Sequence, residues 1–140
     1  MTFFEAEATP WPSKAYATRL IPDTGTLAGD LTALLWGLVD EFHAPAAAAA
    51  LPGLLADFAA DPVLKARIRS DFLGPSKERL LIVFERAVTR GEIAGDTPVD
   101  LVLDTLAGAV FFRVGLVGEH PGPQLAGRLA AVIAKGIEIR

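Results

Sequence analysis

Apolar side chains recur along most of the chain at the spacing of α-helices that bury one face. The clearest stripe begins after Thr26, a residue type typical of an N-cap, and consists of Leu27, Leu31, Leu34, Leu35, Leu38 and Phe42. Further stripes follow up to residue 138, and no long alternating run of β-branched residues interrupts them. The pattern therefore predicts an all-α fold, a helical bundle domain of about six helices.

Proline, glycine and capping residues predict where these helices begin and end. Asp61–Pro62 is typical of a cap followed by proline at the first helical position. Gly74–Pro75 predicts a break between two helices, whereas Arg90–Gly91 predicts a helix C-terminus. Residues 1–26 are rich in proline and turn formers and have no clear apolar period. We therefore expect an irregular N-terminal segment over 1–26 and one helical domain over 27–140.

The helix predicted to end near Gly118 is apolar nearly all round, although it contains Arg113. A helical wheel places Arg113 among aliphatic residues that should face the core. A buried guanidinium requires a partner, so we expect Arg113 to be buried against a carboxylate or a bound anion. Glu41 and Glu85 are the candidate carboxylates, and extension of the side chain into solvent is the remaining alternative.

The last two predicted helices, over 98–118 and 123–138, carry more apolar surface than one small domain covers. Small residues one heptad apart on the first of them allow a second helix to cross closely. We expect a two-fold homodimer in which these helices form a four-helix bundle. The residues expected at this interface are Gly108, Phe112, Gly115, Leu129, Val132 and Gly136.

Composition narrows the range of functions. The chain has 140 residues and no cysteine, which excludes disulfides and thiolate chemistry and leaves the cytoplasm as the default compartment. The N-terminus does not read as a signal peptide, and the most apolar run contains Asp104 and Arg113, so we expect no membrane span. A net charge of −4 without a basic cluster indicates that this chain alone does not bind DNA.

Catalytic and metal-binding patterns are missing from the sequence. His43 and His120 do not form a pair at metal-ligand spacing, the serines lack a nucleophile elbow, and the glycines form no phosphate loop. We therefore expect no enzyme activity, no cofactor and no metal site.

Four aromatic residues are the better candidates for a binding site, because each should point inward from a different helix. They are Phe58, Phe72, Phe84 and Phe111. Plain core packing explains any one of them, but together they would line a mainly apolar cavity of the kind that binds small molecules. Arg113 is the candidate for an anionic contact in the same site.

A resemblance to a known family covers residues 22–138. Four pieces carry it, namely LPGLLADFAADP, RAVTRGEI and LAGAVFFRVGLVGE, with PDTGTLAGDLTALL upstream. In their order and spacing they resemble the C-terminal ligand-binding and dimerisation domain of TetR-family transcriptional repressors. The resemblance implies an all-helical domain that dimerises through its last two helices and binds an effector among the preceding ones. It also implies an N-terminal helix-turn-helix domain that moves when the effector binds.

Residues 1–26 depart from that family, because a helix-turn-helix domain needs about fifty residues and a basic recognition helix. The expected function is thus an effector-binding and dimerisation domain that lacks its own DNA reader, and DNA binding would require one to be supplied. The alternative is a stand-alone helical dimerisation module without an effector. The effector would be an apolar small molecule, whose identity the sequence does not specify.

Overall fold

A computed structural model describes residues 21–41, 53, 56–118 and 124–139 of the chain. The described part is all-α, as predicted, and residues 53 and 56–60 are helical in addition to five named helices. These are α1 (Leu27–Glu41), α2 (Pro62–Ile68), α3 (Gly74–Thr89), α4 (Val99–Phe111) and α5 (Leu125–Ile137). Within those ranges, each helix is too short or too polar to cross a bilayer.

Local capping explains where three of these helices begin or end, and it confirms the boundaries expected from the sequence. Thr26 Oγ1 accepts a hydrogen bond of 3.0 Å from Gly29 N at the start of α1. The Asp61 carboxylate accepts from two backbone amides in the first turn of α2. Gly91, with φ of 81°, closes α3, because the next amide donates to the Ala87 carbonyl at 2.9 Å in a Schellman arrangement.

The predicted break at Gly74–Pro75 is wrong, because the chain stays helical between α2 and α3. A π-helical turn, Arg69–Leu73, joins the two helices. In a regular α-helix the ring of Pro75 would clash with the carbonyl four residues earlier. In the wider π-helical turn the Gly74 amide donates to the Arg69 carbonyl five residues back. This turn accommodates the proline, so the chain from Pro62 to Thr89 forms one helical run.

A second π-helical turn, Phe112–Val117, extends α4 and ends at Gly118, whose φ is 75°. The expectation that Arg113 is buried in the domain core is wrong, since its side chain is exposed in the protomer. A π-helical turn contains more residues than an α-helical turn, so a wheel drawn at about 100° per residue fails beyond Phe111. Val114 occupies the core-facing position instead.

The core forms where α1, α3, α4 and α5 meet, and α1 contacts each of the other three. The closest pairing is between α1 and α5, because α5 presents a small side chain to α1 at each turn. Its fully buried members are Ala126, Ala130 and Ala134. The larger core side chains from the other helices include Leu27, Leu31, Leu35, Leu38, Leu80, Val83, Phe84, Val102, Leu106 and Val110. α1 therefore lies between α5 and the α3–α4 pair.

A candidate ligand cavity and a candidate dimer surface

A small cavity lies between α1, α3 and α4. Its volume is about 30 Å³, which is the space of about one water molecule. The described residues that line it are Leu34, Leu35, Leu38, Ser76, Leu80, Leu103, Leu106 and Ala107. Leu34 and Leu103 are half-buried and the others are buried. The cavity is therefore closest to solvent on the side of these two leucines.

Ser76 is the polar member of this lining. The residue is only 4% exposed, and its Oγ has no hydrogen-bond partner among the described residues. A helical serine often donates to the carbonyl four residues earlier, but that carbonyl belongs here to the π-helical turn before α3. An unpaired buried hydroxyl costs about 1–3 kcal/mol. Sequence reasoning missed Ser76, because a lone serine on a helix has no periodic signal.

The aromatic residues proposed for the cavity occupy separate places. Phe84 is buried in the core and borders a concavity of about 360 Å³ between α3 and the α3–α4 loop. Phe58 is half-buried beside a different concavity, of about 240 Å³, next to α2. Phe111 is half-buried at the end of α4, and the side chain of Phe72 lies outside the described residues. A chamber shared by these aromatic residues stays a prediction, as does a ligand contact by Arg113.

The outer faces of α4, its π-helical turn and α5 expose large apolar side chains. Phe112 is 52% exposed and Val132 is 68% exposed. Gly108 and Gly136 are also exposed, and a Cβ atom built on either would meet no other atom within 4 Å. Gly115 and Leu129 are half-buried. The six residues expected at a dimer interface thus all reach the protomer surface, whereas their pairing stays a prediction.

A cluster of polar side chains at the start of α1 joins segments that are far apart in sequence. Asp30 is fully buried, and its Oδ1 accepts hydrogen bonds from the Thr24 amide at 2.7 Å and the Thr24 hydroxyl at 2.8 Å. Asp30 Oδ2 lies 3.6 Å from Arg90 Nη2, an ion pair longer than a hydrogen bond. Arg90 Nε donates to Glu92 Oε1 at 2.6 Å. We call Thr24, Asp30, Arg90 and Glu92 the polar clasp.

The polar clasp also satisfies the backbone around it. Glu92 Oε2 accepts from the Leu27 amide at 3.0 Å, which places a negative charge at the positive end of α1. The Glu92 carbonyl accepts from the Ile139 amide at 2.8 Å, so the C-terminal end of α5 is held there as well. Because its members bind one another, the polar clasp is a structural network and not an open binding site.

Other chemistry of the described residues adds no second candidate site. They contain no group of acidic or histidine side chains that is placed to hold a metal ion. Arg79 is buried on α3 one turn beyond Ser76, but it does not line the cavity.

A family model described as the tetracyclin repressor-like C-terminal domain matches residues 21–133. The match includes α1 to α4 completely and most of α5. The chain has no match among curated proteins.

Proposed function

The chain belongs to the tetracyclin repressor-like C-terminal domain family, and on that premise we propose that it binds an effector and dimerises within a TetR-like transcriptional repressor. The proposed effector is an apolar small molecule, and the proposed partner is a second copy of the chain. We assign DNA binding to a separate helix-turn-helix domain, because the net charge of −4 of this chain opposes binding to DNA phosphates. The proposed place of action is the cytoplasm, and the proposal includes no catalysis.

The observation that supports this function best is that α4 has two apolar faces. Its inner face contributes Leu103, Leu106 and Ala107 to the cavity. Its outer face exposes Leu101 and Gly108, and Phe112 continues that face beyond the helix. A ligand between α1, α3 and α4 would press on the same helix that a second subunit would cover. Occupancy of the cavity and the geometry of the dimer would then be coupled through α4.

Substitution of Gly108 tests the dimer. Gly108→Glu places a charge on the outer face of α4 without crowding the protomer, because a Cβ there meets no atom within 4 Å. We expect the wild-type chain to sediment as a dimer at micromolar concentration and the variant as a folded monomer. Gly95→Glu is the matched control, since Gly95 is also exposed and uncrowded but lies in the α3–α4 loop. A wild-type monomer would contradict the dimer.

Binding of toluene tests the cavity. We expect toluene to shift the backbone amide resonances around Leu34, Leu103 and Ala107 in a saturable way. Leu103→Ala, at the half-buried side of the cavity, should tighten toluene binding, because truncation of a packed leucine leaves space for an apolar ligand. Saturation elsewhere on the surface would remove the support for an effector site here.

A second candidate function is a helical dimerisation module without an effector. The observation that favours it is the cavity volume of only about 30 Å³, because small-molecule sites usually measure about 300–1,000 Å³. Persistence of the dimer, together with no toluene binding in wild type or Leu103→Ala, would select this second function.

A further inference from the structure

We propose that the cavity between α1, α3 and α4 takes a neutral, mainly apolar ligand with one hydrogen-bonding oxygen or nitrogen, and that Ser76 Oγ makes that hydrogen bond. This inference rests on the proposed function, because it names the class of effector that the same cavity would bind.

Ser76 differs from the rest of the cavity lining. Seven of the eight described lining residues are leucine or alanine, so Ser76 is the polar residue of the described lining. It is buried, and the described residues provide it with no partner. Folded proteins leave few buried polar groups unpaired, and each exception needs an explanation. The cavity of about 30 Å³ would have to widen to admit a ligand, whose hydrogen-bonding atom would then supply the missing partner.

The local backbone before Ser76 is irregular. The π-helical turn, Arg69–Leu73, directly precedes α3 and includes the carbonyl that a helical serine at position 76 would ordinarily bind. Pro75 lies between that turn and Ser76. In this irregular backbone the hydroxyl makes no hydrogen bond to that carbonyl. π-helical turns of this kind are frequent at functional sites.

The lining also restricts the charge of the ligand. The described lining contains no charged residue, so a carboxylate or an ammonium group would lose its hydration without gaining an opposite charge. Arg79 is the nearest buried cation along α3, but it does not line the cavity. One hydroxyl can satisfy one polar group of a ligand, whereas a ligand with many hydroxyls would leave most of them unpaired. The lining therefore selects a neutral ligand with a single polar group.

Phenol and toluene form the matched probe pair, because they differ only by a hydroxyl in place of a methyl group. Each is titrated into wild type, Ser76→Ala and Ser70→Ala, with dissociation constants taken from amide chemical shifts. Loss of one neutral hydrogen bond should weaken phenol binding to Ser76→Ala by about three- to tenfold, while toluene affinity stays within about twofold. Ser70→Ala should change neither, since Ser70 is exposed on the π-helical turn and bonds locally to the Arg67 carbonyl.

Two further measurements separate a ligand-binding hydroxyl from a structural one. The melting temperature of Ser76→Ala should not fall, because the described residues provide no bond for the hydroxyl to lose; a clear fall would overturn the proposal. Benzoate at neutral pH should bind more weakly than phenol, and tighter benzoate binding would show that the site recognises an anion. The series is repeated in the Leu103→Ala background, so that a tight wild-type cavity does not hide the difference.

The outcomes distinguish this inference from the function on which it rests. If both probes bind the cavity and Ser76→Ala leaves the phenol-to-toluene ratio unchanged, the role of Ser76 is wrong while the effector cavity stands. If neither probe binds wild type or Leu103→Ala, the effector cavity itself is wrong, and the proposed ligand class fails with it.

Discussion

Asp30 and Ser76 are both buried polar residues on helices of the same core, but their surroundings differ. Asp30 Oδ1 accepts two hydrogen bonds from Thr24, and Asp30 Oδ2, which has no hydrogen-bond partner, forms an ion pair with Arg90 at 3.6 Å. Ser76 lines a small apolar cavity, and no described residue bonds its hydroxyl. Burial of a polar side chain therefore has two different consequences in this core. A group that binds neighbouring segments holds the chain together, whereas the unbonded hydroxyl beside the cavity is the proposed ligand contact.

α1 contributes residues to both regions. Its first turn is held by the polar clasp, because Leu27 N and Asp30 are both bonded there. Two turns later, Leu34, Leu35 and Leu38 form one wall of the cavity. The polar clasp thus fixes the end of the helix whose middle would contact a ligand. Changes at Asp30 should therefore reduce stability, and changes at Ser76 should alter recognition.

The largest expected effect is that of Asp30→Ala. The variant leaves Arg90 and the Thr24 amide without their buried acceptor, and removal of one partner of a buried ion pair costs about 3–5 kcal/mol. Because the Arg90 side chain is 27% exposed, we expect a loss near the lower end, about 3 kcal/mol in the free energy of unfolding. Urea denaturation measures it. Asp40→Ala, exposed on the same helix, is the control and should change stability by less than about 0.5 kcal/mol.

Glu92→Gln should have the next largest effect. It keeps the shape of the side chain but removes the charge that faces Arg90 Nε and the positive end of α1. We expect a loss of about 1–1.5 kcal/mol, since a hydrogen bond to a charged group contributes more than a neutral one. The loss should shrink in high salt, because partly exposed charges are screened. Glu85→Gln, exposed on α3, should change little, and equal losses in both variants would argue against a special role of Glu92.

Ser76→Ala should have the opposite sign to Asp30→Ala. Removal of an unpaired buried hydroxyl leaves an apolar cavity wall, so we expect the free energy of unfolding to stay the same or to rise by up to about 1 kcal/mol. Chemical denaturation of the unliganded protein gives the value. A loss of more than about 1 kcal/mol would mean that Ser76 bonds a neighbouring group as Asp30 does, and the contrast between the two regions would disappear.

Local signals in the sequence correctly predicted the fold class and several helix ends. Asp61, Thr26 and Gly91 act at the positions where caps were expected, because capping depends on the few residues around it. The polar clasp could not be predicted, since Glu92 binds an amide 65 residues away. The burial of Arg113 was predicted wrongly, because a helical wheel assumes a regular α-helix and ignores the π-helical turn. A role for Ser76 could not be predicted either, because it depends on the cavity beside the residue and on the π-helical turn before Pro75.

The smallest expected change in stability, and the most informative about Ser76, is that of Pro75→Ala. The variant restores an amide donor and removes the ring that a regular α-helix cannot accommodate. We expect these gains to offset the greater freedom of the unfolded chain, so that the free energy of unfolding changes by less than about 1 kcal/mol.

Recognition should nevertheless change in Pro75→Ala. Without the ring, the π-helical turn can tighten into α-helix, and the Ser76 hydroxyl then reaches the carbonyl four residues earlier. The preference for phenol over toluene should fall as it does in Ser76→Ala, and the new amide at position 75 should be protected in hydrogen exchange. Pro62→Ala is the matched control, because Pro62 lies in the first turn of α2, where its ring opposes no helical carbonyl. A protected amide with an unchanged phenol preference would show that the π-helical turn is not what leaves Ser76 available.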